Sequence, residues 1–188
     1  EYIPERFSVE FVRHGEHLIY GDYDLQVVAA PGHTPGQLCL YEKKQKFLFA
    51  ADHILFEISP NLCTWKTMPD ALGIYLNSLH LMEHFEVLST FPAHGSFGRF
   101  SIYERITELI HHHERRLTEI ETIVHNNPHL TAYEIAKRAS WRSKSRSWQE
   151  LPLTQKWFAT EETTAHLEYL TMRHRADRNI HNGVAFYR

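Results

Sequence analysis

Three short segments carry side chains that could do metal chemistry: PGHTPG at 31–36, AADH at 50–53 and PAHG at 92–95. Each follows an apolar run and falls where a turn is expected. If the three runs are strands of one sheet, His33, Asp52 and His94 converge at its edge. Imidazole and carboxylate together suit zinc, manganese or iron. A bridging carboxylate can hold two such ions, and ions so held activate a water toward a carbonyl or phosphoryl centre. Gly32, Pro35 and Gly36 fix the turn that presents His33 without crowding it. Asp52 comes straight after FLFAA, where an unpaired charge near the core is costly. A metal would offset that cost.

Other chemistry-bearing residues read differently. His53 follows Asp52, and on an extended chain neighbours point to opposite sides. It is therefore expected beside the centre or on its substrate side rather than on a metal. Cys63, in the NLCTW loop, is a further candidate for the pocket wall, whereas Cys39 alternates with apolar neighbours and reads as core. His111, His112 and His113 are consecutive on a helix and spread around it, so they read as a helix face. His80 and His84 read as surface residues. Arg138, Arg142, Lys144 and Arg146, with Trp141 and Trp148 nearby, could meet a polyanion whose bases stack on the indoles. The competing reading is a solvated loop anchored by the two tryptophans.

The elements that must position these residues change character along the chain. Apolar alternation around Leu25–Ala29, at Leu38 and Leu40 and at Phe47–Ala50 reads as strands, with YEKKQK as a hairpin turn between the last two. Asp70 can cap a helix whose stripe is Leu72, Tyr75, Leu79 and Met82. Residues 87–91 read as another strand. The second part reads as helices: a long one with Ile102, Ile106, Leu109, His113, Leu117, Ile120 and Val124 on one face, a short one opened by a Thr131–Glu134 capping box, and a third within 163–174. Asn182-Gly183 marks a closing hairpin. Helices followed by a hairpin suggest a winged helix.

Composition sets the outer limits. The chain has 188 residues, 43% of them hydrophobic and 23% charged, with a net charge of −3. These values argue against disorder and against a globally basic nucleic-acid binder. Two cysteines exclude a disulfide scaffold. No apolar run approaches the roughly 20 residues of a membrane span. The opening EYIPERFSVEF shows no initiator Met and no signal-peptide pattern, so a fragment of a cytoplasmic protein is expected.

PGHTPG, the Asp of FAADHI and PAHG resemble, in order and approximate spacing, the later metal-binding motifs of the metallo-beta-lactamase superfamily. FAADHILFEISPNL is similar to the subgroup containing beta-lactamase-like protein 2 and hydroxyacylglutathione-hydrolase-like bacterial proteins. The resemblance implies an α+β chain: the C-terminal half of an αββα sandwich over 1–100, then a winged-helix-like accessory domain over 101–188. It implies that His33 binds a first metal, Asp52 bridges and His94 binds a second, with one or two divalent ions, zinc foremost and iron or manganese as alternatives. The family's H-x-H-x-D-H motif is absent from this chain. An N-terminal half, as a separate chain or a missing segment, is then the expected partner, and this chain alone is expected to be inactive. The implied function is metal-dependent hydrolysis of an ester, thioester or lactam carbonyl by a metal-bound hydroxide, on a small acyl or thioester substrate. The alternatives are a ribonuclease of the same fold acting on RNA, and a non-catalytic binding or regulatory module. A homo-oligomer is left open, and no membrane contact is expected.

Overall fold

The computed structural model describes residues 10–97, 101–141 and 147–188. Five strands form one sheet in sequence order: β1 (His17–Tyr20), β2 (Tyr23–Ala29), β3 (Leu38–Glu42), β4 (Phe47–Ala51) and β5 (Ser89–Pro92). The first four pair antiparallel through short turns, and β5 lies parallel to β4. Parallel neighbours need a crossover, which here contains α1 (Ala71–Met82).

The sheet has two unlike faces because side chains alternate along each strand. Val28, Ala30, Cys39, Tyr41, Leu48 and Ala50 are buried in the core with Leu72, Tyr75, Leu79 and Met82 of α1. Phe47, Phe49 and Phe91 lie on the other face, where Phe49 remains 42% exposed. Asp70 caps α1 by accepting from Gly73 N at 3.1 Å. The strand expected over 87–91 begins at Ser89. β1 was not expected: its four residues, at the sheet edge, are all exposed, so no half-buried alternation marks them.

The remainder comprises α2 (Ile102–Asn126), α3 (Ala132–Arg138), a 3₁₀ turn (Trp148–Glu150), α4 (Leu153–Met172) and the hairpin of β6 (Arg178–His181) and β7 (Val184–Tyr187). Thr131 and Glu134 form the expected capping box. Leu130 pairs with Tyr187, which ties the hairpin to the chain entering α3. Helix, bridge, two helices and hairpin, in that order, make a winged-helix-like appendage to a partial αββα sandwich. The third helix starts ten residues before the expected window. Its first half, LTQKWFATEE, has no apolar stripe to reveal it.

The two parts share one hydrophobic cluster, which runs from Leu48 and Tyr75 through Ile106 and Leu109 to Leu167 and Leu170. Polar contacts reinforce the junction. Arg173 reaches Asp70 at 2.9 Å, and Arg105 donates to the carbonyls of Leu55 at 2.7 Å and Ile58 at 2.9 Å. Among the described residues, no helix is long and apolar enough to cross a membrane.

Candidate metal centre

Asp52 and His94 follow the ends of the parallel neighbours β4 and β5. A register shift between Phe49 and Ala51 bends the end of β4, and Ala51 takes φ 46° before Asp52. Ala93 N donates to Ala51 O at 2.9 Å, which locks the two strand ends together. The result places Asp52 Oδ1 2.8 Å from His94 Nε2. The two atoms are at ion-pair distance but out of hydrogen-bond alignment, and Oδ1 is buried without a hydrogen-bond partner among the described residues. An unsatisfied carboxylate oxygen facing an imidazole nitrogen is a donor pair that one divalent cation can share. The chemistry of this pair therefore fits a metal.

His33 is presented by the β2–β3 turn. Its Nδ1 is 2.7 Å from Asn61 O. A carbonyl can only accept, so Nδ1 carries the proton and Nε2 keeps its lone pair, the state that a metal-ligating histidine needs. Gly32 makes the turn possible: at φ 140°, a Cβ here would stand 2.5 Å from Tyr75 Cβ. Among the described residues no group of three or more His, Cys, Asp and Glu side chains is gathered for one metal. The structure thus brings Asp52 and His94 together and leaves His33 outside a three-ligand cluster. His33 does lie close enough to His53 to disfavour that ring's protonation.

His53 is fully buried and packs edge-on against Tyr75, with ring centroids 5.3 Å apart. Burial, followed by the charge effect of His33, lowers its pKa to about 4, so the ring is neutral at pH 7. Cys63 receives a hydrogen bond from Asn61 Nδ2 at 2.9 Å; burial first, then the charge of Glu161, raises its thiol pKa. Arg138 is exposed and donates to Glu134 O at 2.9 Å, whereas Arg142, Lys144 and Arg146 lie outside the described residues. Trp141 donates to Ala136 O at 2.7 Å, and its ring lies under Arg116. Of the three consecutive histidines, His111 is exposed, His112 half-buried and His113 fully buried.

Tyr75 was expected only as a member of the α1 stripe, and Ser78 and Glu57 were not singled out from the sequence. Tyr75 Oη donates to His53 O at 2.9 Å and Ser78 Oγ to Pro31 O at 2.8 Å, so α1 fastens two of the loops. Glu57 accepts from Ser96 N at 3.1 Å and from the Ser96 hydroxyl, which ties the His94 loop to the Asp52 loop. Tyr75 and Ser78 had a legible signal, since they lie three apart on α1. Glu57 had none, because its partner lies thirty-nine residues away.

No family model matches the chain. A crystal structure of a beta-lactamase domain protein from Burkholderia ambifaria is similar over 99% of this chain and 53% of its own, with a TM-score of 0.84 and 29% identity. Beta-lactamase-like protein 2 homolog of Caenorhabditis elegans is 25% identical over 134 residues, 71% of this chain and 42% of that protein. Hydroxyacylglutathione hydrolase of Rhizobium etli is 32% identical over 83 residues, 37% of this chain and 32% of that protein. The matches cover between 32% and 53% of these relatives' own length. Together with the sheet and its flanking helices, these likenesses place it in the metallo-beta-lactamase superfamily fold.

Proposed function

We propose that this chain is the C-terminal part of a metal-dependent hydrolase, contributing His33, Asp52 and His94 to a centre completed by an N-terminal half of the sandwich. Asp52 Oδ1, 2.8 Å from His94 Nε2 and without a hydrogen bond among the described residues, carries the reading. The carboxylate offers one oxygen toward His94 and a second for a neighbouring ion. His33 offers Nε2 from a ring oriented by Asn61 O. A bound divalent metal would supply Lewis acidity toward the substrate oxygen and an acidified water. The substrate class that fits is a small acyl ester or thioester, in keeping with the acylglutathione named for one relative. Residues 101–188 act as the accessory domain, fixed to the Asp52 loop by Arg105.

The chain without its partner half is expected to be inactive, since no three-ligand cluster forms among the described residues. The test is reconstitution. The chain is mixed with a polypeptide carrying H-x-H-x-D-H from a full-length relative, loaded with zinc, and assayed on an acyl thioester and on single-stranded RNA. Thioester turnover that requires both pieces, is abolished by chelator and falls at least a hundredfold in Asp52→Asn supports the reading. Turnover on RNA alone would shift the substrate to phosphodiesters. Chelator-insensitive turnover, or zinc binding unchanged in Asp52→Asn, would overturn it.

A further inference from the structure

A cavity of about 700 Å³ opens between α2, α4 and the loop at 57–59. His33, Asp52 and His94 do not line it. Glu57 and Arg105 join the two places: both line the cavity, Glu57 holds Ser96 of the His94 loop and Arg105 holds Leu55 O after Asp52. Trp141 and Phe158 give the cavity aromatic walls, and Phe158 is 46% exposed. Arg115, an exposed residue, also lines it and makes no ion pair with the described residues. The neighbouring Arg116 is committed instead: it donates to Glu119 at 2.7 Å and to Ser140 O at 2.7 Å, and its side chain is 8% exposed.

The inner wall holds unspent polarity. Arg116 Nε, His112 Nε2 and Glu162 Oε1 are all buried without a hydrogen bond among the described residues. Arg116 Nε at 3.6 Å and His112 Nε2 at 3.8 Å form long ion pairs with that carboxylate oxygen, beyond hydrogen-bond distance. Native interiors seldom leave buried donors and acceptors without a hydrogen bond, even where their charges are paired. A ligand edge with both hydrogen-bonding senses would satisfy them. Aromatic walls call for a flat ring, and the free cation calls for an acid group.

We infer that this cavity is a binding site for a planar heteroaromatic organic anion, its ring against Trp141 and Phe158 and its acid group at Arg115. The inference is independent of the hydrolase reading, because such binding needs no metal. It is tested by calorimetric titration of the whole chain, with chelator present, using adenosine 5′-monophosphate, adenosine and inorganic phosphate as probes. The monophosphate should bind at least tenfold more tightly than either of its parts. Arg115→Gln should weaken the monophosphate about fivefold, as expected for one partly exposed ion pair, and leave adenosine unchanged. Phe158→Ala should weaken both ring-bearing probes. Thermal melts confirm that the variants fold, since both side chains are exposed. Absence of binding by all three probes, phosphate binding as tightly as the monophosphate, or an Arg115→Gln variant that binds the monophosphate normally would each overturn the site.

Discussion

Each candidate ligand sits beside a residue in left-handed backbone conformation: Gly32 before His33, Ala51 before Asp52 and Gly95 after His94. Such a residue reverses the chain over a short distance, which turns a ligand out of a strand end and toward its neighbours. Two of the three are glycines and cost little there, but alanine at φ 46° carries about 1 kcal/mol of strain. Ala51→Gly is therefore expected to stabilise the fold by about 0.5–1 kcal/mol in urea denaturation while leaving the Asp52–His94 pair in place. Gly32→Ala runs the other way. Its Cβ would meet both Cα and Cβ of Tyr75 inside 3.0 Å, against backbone that cannot swing aside. A loss of about 2 kcal/mol or more is expected in the same measurement, from overpacking plus the left-handed angle.

At the scale of elements, α2 and α4 meet through a buried imidazole pair. His166 Nδ1 donates to Glu162 O at 2.7 Å, so its Nε2 accepts from His113 Nδ1 at 3.2 Å, and His113 Nε2 has no hydrogen-bond partner among the described residues. Tyr75, His112, Arg116 and Glu162 surround the pair. Burial is the largest cause holding both rings neutral: it lowers the pKa of His166 to about 4 and that of His113 well below its usual value, the latter helped by the charges of His166, His112 and Arg116. The unfolded chain takes up these protons near pH 6.5, whereas in the folded chain His166 does so only near 4 and His113 only well below its usual value. Stability is thus fully present above pH 6.5 and falls as pH drops toward 4, by up to about 1.4 kcal/mol per pH unit for each ring. Denaturant melts between pH 4.5 and 7 should show this slope, and His166→Gln should reduce it while His113 and His53 keep their shares; an unchanged slope counts against the assignment. The pair also marks the limit of sequence reading here. His113 was legible as a member of the α2 stripe, and the motif segments of His33, Asp52 and His94 were legible by type and order. The role of His166 was not, because it lies inside the expected helix at 163–174 but its partner His113 is fifty-three residues away. The left-handed Ala51 was equally hidden, since nothing in FLFAAD distinguishes a bulge from a straight strand.

At the scale of the whole molecule, the sheet face turned away from α1 carries a connected set of rings. Tyr23 meets Phe47 edge-on, Phe47 meets Phe49 and Phe91, and Phe91 meets Phe97, with centroids 5.4 to 5.9 Å apart. Tyr23, Phe49 and Phe97 are 41%, 42% and 66% exposed. Covering each of these rings is worth about 1 kcal/mol of apolar burial, and together they form a patch of the kind that marks an interface. In a two-sheet sandwich this face packs on the second sheet, and the structural relative is about twice as long as this chain. The same face should therefore govern both self-association and reconstitution. Phe49→Lys places a charge at the register position opposite Leu40 and Phe91, the middle of the patch. It leaves the α1-side core untouched, so the melting temperature should shift by no more than a few degrees. Sedimentation should show reduced self-association of the isolated chain, and mixing with an H-x-H-x-D-H half should no longer yield a stable complex or turnover. A Phe49→Lys chain that reconstitutes as well as the parent would show that this face is not where the second sheet docks.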